Sequence, residues 1–170
     1  MALTGQKVGD AAHQPQSENI EPPLGMYPGR LDDRGRVKLP SNFQQYFSAS
    51  GKTRFFVTSL DRRIAQIYTI SAWRETEKWL ANYRGDPEAA RNIAFNAADL
   101  GAEADIDSQG RILFSSDLRR ELGIENQPVR LYAYRTRIEV LSDKIYQERK
   151  GHASANAAKD LTTLEQAGMP

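Results

Sequence analysis

Two arginines in this chain leave the same kind of turn. Asp32-x-x-Gly35-Arg36 returns as Asp107-x-x-Gly110-Arg111, an offset of 75 positions (32 to 107). The residue types imply a definite chemistry. An Asp at the head of a tight turn accepts hydrogen bonds from backbone two residues on. A Gly supplies the positive φ that such a turn needs. The Arg then starts a strand with a planar fork that fits phosphate oxygens or the edge of guanine. One copy alone reads equally well as an Asp–Arg pair bracing a β-turn, since Gly turns with charged flanks are common. Two copies in matching contexts are far more specific, and they imply a two-fold surface suited to binding rather than catalysis.

The first copy carries more charge. Arg34, Arg36 and Lys38 alternate, so they share one strand face, and Arg30 adds a charge upstream. The second copy has Gln109 and Arg111, with Leu113 where Lys38 would match. A solvated edge kept from aggregating by charge would also read this way. Three basic residues on one side with none acidic between them favour a nucleic-acid face.

Other chemistry finds little support. Glu103, Asp105 and Asp107 alternate on one expected strand, but acid–base or metal work would need partners from elsewhere, and such residues usually face solvent. There is no Cys, which removes disulfides and thiolate sites. The two histidines, His13 and His152, fall in expected tails. No phosphate-binding Gly loop, nucleophile elbow or paired-His motif occurs. Neither a catalytic residue, a metal ligand nor a cofactor is assigned, and an enzyme is not expected. Trp73, Trp79 and Tyr83 could stack on bases, but their helical spacing points to core or a subunit interface.

The elements that must position the arginines follow from pattern. Residues 1–24 lack an apolar period and read as a disordered N-terminal arm. A first repeat is expected over 25–85: strand 26–31, turn 32–35, strand 36–39, a short helix from a Ser41 cap to Phe47, a hairpin of 54–59 and 63–70 around 60–62, and a helix over 72–84. Asp86-Pro87 opens a connecting helix across 86–101. A second repeat over 102–150 runs strand 102–106, turn, strand 111–114, helix 116–122 stopped by Gly123, hairpin 129–134 and 137–141, and helix 143–150. Residues 151–170 read as a flexible tail with at most a weak helix around 153–166. Each repeat is marginal as an independent core. Together they predict an α+β protein with a mainly β core, pseudo-two-fold symmetry and peripheral helices.

Charge agrees with an anionic partner without proving one. Residues 1–24 carry −2 and residues 151–170 carry −1 against a total of +1, which leaves +4 on 25–150. No apolar run reaches the roughly 20 residues of a membrane span, and the N-terminus does not read as a signal peptide. A cytoplasmic protein with no membrane partner is expected.

Across residues 25–150 the chain resembles the MraZ family, transcriptional regulators of bacterial division and cell-wall gene clusters built from two SpoVT/AbrB-like repeats. The resemblance rests on Gly25-Met26-Tyr27, Leu31-Asp32-x-x-Gly35-Arg36-Val37-x-Leu39-Pro40 and Ile67-Tyr68-x-Ile70-x-x-Trp73. It continues with Glu103-x-x-Ile106-Asp107-x-x-Gly110-Arg111-Ile112-Leu113 and Leu118-Arg119-x-x-Leu122-Gly123. It implies tandem swapped-hairpin repeats in one pseudo-dimeric chain, a ring homo-oligomer, and binding of double-stranded DNA at short G-rich direct repeats of a promoter, usually to repress. Carried over by position, it makes Arg36 and Arg111 DNA contacts, with Arg34, Lys38 and Arg119 beside them, and it places the protein with the nucleoid. Asp32, Gly35, Asp107 and Gly110 keep their turn-forming role.

The sequence departs from the family pattern in four places. Ser116 stands where Pro is usual, and Gln44 sits near an expected Arg whose second-copy counterpart is Arg119. The basic residues before the second repeat thin to Arg91, with Ala94 and Phe95 following, and Glu-Ile-Trp becomes Glu139-Val140-Leu141. The chain is thus a divergent member by resemblance. These departures motivate an alternative, a ring-forming interaction protein of the same fold with weakened or lost operator binding. Salt dependence of DNA affinity separates the two.

Overall fold

The computed structural model describes residues 21–170, and its strands pair across the two halves of the chain. The first half contributes β1 (Met26–Arg30), β2 (Arg36–Lys38), α1 (Ser41–Ala49), β3 (Arg54–Thr58), β4 (Ala65–Thr69) and α2 (Ile70–Ala81). Helix α3 (Pro87–Leu100) leads into β5 (Ala102–Asp105), β6 (Arg111–Leu113), α4 (Ser116–Leu122), β7 (Pro128–Tyr134), β8 (Arg137–Ser142) and α5 (Asp143–Gln166). This is an α+β architecture with a mainly β core.

Six strands form one antiparallel sheet in the order β1-β7-β8-β4-β3-β5, and β2 pairs with β6 in a separate two-stranded ribbon. Exchanging the halves leaves the pairings unchanged. β1 pairs with β7 as β5 pairs with β3, while β2–β6 and β4–β8 pair like with like. Among the described residues β1 finds its sheet partner only in the other half, while Leu31, just past its end, forms one bridge with Val37. Central strand β4 is buried along most of its length, and its register sets Ile67 against Ile138 and Gln66 against Glu139.

The main core draws on both halves in matching pairs: Leu39 and Phe114, Val37 and Ile112, Phe43 and Leu118. Excluding their surfaces from water is the chief force joining the halves. A second cluster of Tyr68, Trp73 and Ala97, with Phe56 against it, seats α2 and α3 on the sheet's other side. There Glu139 is buried, accepting from Gln66 Nε2 at 3.1 Å and from Arg137 Nη2 at 3.2 Å.

Several boundaries differ from the sequence expectation. Ser41 is the first residue of α1 rather than its cap. Pro40 takes the cap position with φ −52° and ψ 148°, and its carbonyl accepts from Phe43 N at 3.0 Å and Gln44 N at 3.1 Å. Helix α2 starts at Ile70 because Thr69 caps it, accepting from Ala72 N at 3.2 Å. The β4 strand begins later than expected because Asp61 Oδ1 accepts from both Arg63 N and Ile64 N at 2.9 Å, which extends the turn. Residues 151–166 continue α5 as one helix where a flexible tail with at most a weak helix was expected. Ala153, Ala155, Ala157 and Ala158 supply the propensity. The start is fixed by Ser142, which accepts from Ile145 N at 3.2 Å. The expected N-terminal arm, 1–24, lies outside the described residues up to position 20.

Candidate nucleic-acid interface

The ribbon β2–β6 sits over the core with alternating side chains. Val37 and Ile112, directly paired, point inward and are fully buried. Arg36, Lys38, Arg111 and Leu113 therefore occupy the outer face, with Arg36 opposite Leu113 and Lys38 opposite Arg111. The two Asp-x-x-Gly-Arg turns flank this ribbon, one at the start of each strand. They are tied to it crosswise: Leu39 N donates to Gly110 O and Phe114 N to Gly35 O, each at 2.9 Å.

Both turns are built the same way. Asp32 Oδ1 accepts from Arg34 N at 3.0 Å and Arg36 N at 2.8 Å, and its Oδ2 accepts from Arg36 Nε at 2.9 Å. Asp107 Oδ1 accepts from Gln109 N and Arg111 N at 2.9 Å, and its Oδ2 from Arg111 Nε at 2.8 Å. Gly35 has φ 79° and Gly110 has φ 77°, the left-handed region that β-carbons disfavour. The arginine backbone N–H, above all, holds each aspartate below the usual carboxylate range, with the second backbone N–H and the guanidinium adding to it. The carboxylates are thus ionised at neutral pH and keep Nε occupied. Neither Nη of Arg36 or Arg111 has a hydrogen-bond partner among the described residues. A guanidinium held by Nε and free at its far edge can donate two parallel bonds to one acceptor pair.

The residues predicted from sequence fall into three situations. Arg36, Lys38 and Arg111 come together on the ribbon face. Arg34 is exposed at the tip of the first turn, and Arg30 is set back, donating from Nη1 to Asn126 O at 2.8 Å. Arg119 lies beneath the first turn rather than on the ribbon face. Its side chain is only 15% exposed, and its guanidinium lies against the α-carbon of Gly35, where a β-carbon would collide with it. Its buried Nε makes no hydrogen bond, with Glu125 Oε1 at 3.7 Å as the closest acidic partner. Gln44, the counterpart of Arg119, packs the same way over Gly110 and donates from Nε2 to Leu39 O at 2.7 Å. Each helix therefore supports the turn of the opposite half. The sequence makes Arg119 a DNA contact by resemblance alone and does not reveal this crossed support. The matching offset of Gln44 and Arg119 was the available signal.

The acidic row does not assemble. Asp107 leaves the strand to hold its turn, and Glu103 Oε2 pairs with Arg54 Nη2 across the sheet. Of the aromatic set, Trp73 is buried, whereas Trp79 is 62% exposed and stacks on Tyr83 at 5.1 Å between ring centroids. Among the described residues no helix is long and apolar enough to cross a membrane.

Fold and site together define a class: an interleaved tandem-repeat protein that presents aspartate-braced arginines from two β-turns beside a cationic ribbon. No family model matches the chain. It is similar to the transcriptional regulator MraZ of Acidobacterium capsulatum, 26% identical over 145 residues that span 85% of this chain and 98% of that protein. The MraZ of Caldicellulosiruptor saccharolyticus is 27% identical over 146 residues, 86% of this chain and 99% of the relative. That of Caldanaerobacter subterraneus is 27% identical over 125 residues, 74% and 84% respectively. Over most of its length the chain is thus similar to MraZ transcriptional regulators, at a divergent level of identity.

Proposed function

We propose that the chain is a sequence-specific, DNA-binding transcriptional regulator and not an enzyme. The relatives' names support a regulator, and the observation that carries the DNA-binding reading is the ribbon β2–β6. A two-stranded ribbon is one of the shapes the major groove admits, and this one turns Arg36, Lys38 and Arg111 outward together. Arg36 and Arg111 read guanine edges with their free Nη atoms. Lys38 and Arg34 lie against phosphates and set the salt dependence. Asp32, Asp107, Gly35 and Gly110 shape the turns, and Arg119 acts from beneath the first one.

The finer reading is a homo-oligomeric ring that binds short G-rich direct repeats in double-stranded promoter DNA and represses a division and cell-wall gene cluster from the cytoplasm, at the nucleoid. Exposed Trp79 on α2, Tyr83 just after it and Phe95 on α3 support self-association, as do the sheet edges β1 and β5, unpaired on their outer sides among the described residues. A ring multiplies weak contacts through effective concentration. The repeat boundaries, 25–85 and 102–150 joined by 86–101, belong to the same proposal.

The test is titration of promoter DNA with Arg36→Ala, Arg111→Ala and the double variant, using circular dichroism to check folding. Each bidentate contact is worth about 1–3 kcal/mol, so the double variant is expected to lose about two to four powers of ten per site. Unchanged affinity in the double variant would favour the interaction-protein reading.

A further inference from the structure

Leu113 is the odd member of the ribbon's outer face. It is 52% exposed, stands directly opposite Arg36, and occupies in the second strand the position that Lys38 holds in the first. Its neighbours Ile112 and Phe114 are fully buried, so the fold gains little from the Leu113 side chain. A solvated ribbon would carry a polar residue there, as the matching strand does. Single exposed leucines are ordinary on a protein surface. This one lies among the three cations of a four-residue face aimed away from the core. On the floor of the major groove the one apolar group is the C5 methyl of thymine.

Resting on the DNA-binding reading above, we propose that Leu113 is a specificity-determining residue that packs on a thymine methyl beside the guanine read by Arg36. Directly paired residues in an antiparallel ribbon hold their β-carbons about 4.5–5.5 Å apart. Successive base pairs are about 3.4 Å apart. The thymine therefore lies within one or two base pairs of that guanine, on either strand. The register makes the two ends of the ribbon unlike: Arg36 beside Leu113 reads a guanine with a thymine near it, while Arg111 stands beside Lys38. Gln109 adds an adenine-reading group at the Arg111 end. It replaces Arg34 at the turn tip, its side-chain amide has no partner among the described residues, and Gln pairs with adenine as Arg pairs with guanine.

The experiment uses the full chain. Fragments bound from a random DNA pool define the site, and each thymine in it is then replaced by deoxyuridine, which removes only the methyl. Wild type is expected to weaken about fourfold per site at one thymine near the guanine, the worth of one buried methyl group. Leu113→Ala should bind natural DNA about as weakly and be indifferent to the replacement. Leu113→Lys, which copies the first strand, should lose the thymine preference while the dependence of log affinity on log salt steepens by about one. Wild type that ignores deoxyuridine at every thymine overturns the inference but leaves DNA binding intact. So does a Leu113→Ala variant as methyl-sensitive as wild type. A wild type that selects no sequence overturns the DNA-binding reading itself.

Discussion

The two turns share a frame and differ in what they display. Each has an aspartate accepting two backbone N–H groups and one Nε, a glycine near φ 80°, and an arginine starting a strand. The frame is set by three residue types, so it survives divergence around it. The display does not. The first turn and strand carry Arg34, Arg36 and Lys38 against Asp32 and Asp33, while the second carry Arg111 against Asp107, with Gln109 and Leu113 in the remaining places. Beneath them lie a cation, Arg119, on one side and a neutral amide, Gln44, on the other. Fixing both halves in one chain frees each turn to vary alone. Two separate identical chains could not do this, because every change would appear twice.

The sharpest way to break the shared frame is at its glycines. Gly35→Val forces a β-branched residue into a left-handed conformation, a strain of about 1–3 kcal/mol, and drives its β-carbon into the Arg119 guanidinium. Asn tolerates that backbone better, so Gly35→Asn is expected to melt closer to wild type. It still displaces Arg119. The matching Gly110→Asn displaces only Gln44. Thermal melts should rank Val below Asn at both positions. DNA titration should show a larger loss for Gly35→Asn than for Gly110→Asn. Equal melting of Gly35→Val and wild type would contradict the turn geometry.

Next in size is the exchange of supports. Arg119→Gln gives the first turn the support of the second, and Gln44→Arg does the reverse. Arg119 is mostly buried and its Nε has no hydrogen bond; a support of this kind would set the angle of the turn without touching phosphate. Arg119→Gln is expected to weaken DNA binding with the salt slope unchanged. A slope shallower by about one would make Arg119 a direct phosphate contact instead.

How far the sequence reveals this arrangement depends on the range of the interaction. The turns were legible because their determinants are local: Asp32 and Arg36 bond within four residues. The repeat was legible because the same local signal recurs at Asp107. The crossed support was not, since Arg119 meets Gly35 only after the halves interleave. Leu113 was noted only as a missing lysine, because exposure on a ribbon face needs the register with Arg36. The run of α5 past Gly151 escaped because no apolar period marks an exposed helix, and its continuation depends on a start fixed at Ser142 and Ile145.

Acid should act on the two turns alike. Both aspartates sit below the usual carboxylate range because of the arginine backbone N–H groups first of all. A carboxylate with a lowered folded pKa contributes stability that is fully present above its unfolded value, about 3.9 for Asp. That contribution is lost as pH falls from there through the folded value. Melting temperature is therefore expected to be insensitive to these groups near neutrality and to drop below about pH 4. Asp32→Asn and Asp107→Asn should each reduce the wild-type advantage at neutral pH and converge on wild type in acid. A marked difference between the two variants would show that the frames are not equivalent.

The smallest effect is expected far from both turns. Among the described residues, α5 past Gly151 makes side-chain hydrogen bonds only to its own backbone, from Asn156, Thr162 and Thr163, and nearly all its residues are exposed. A segment of this length is marginal as an isolated helix in water. It persists here because it extends one already capped by Ser142 and anchored by buried Ile145. Stability flows from the anchored turns outward and not back. Ending the chain at Lys150 should therefore shift stability by no more than about 0.5 kcal/mol, as for surface changes generally, and leave DNA affinity unchanged. The helical signal near 222 nm should fall by the share of helix removed. A large loss of melting temperature would mean that the outer half of α5 has a partner, and the exposed Leu161 and Leu164 would be the residues to substitute next.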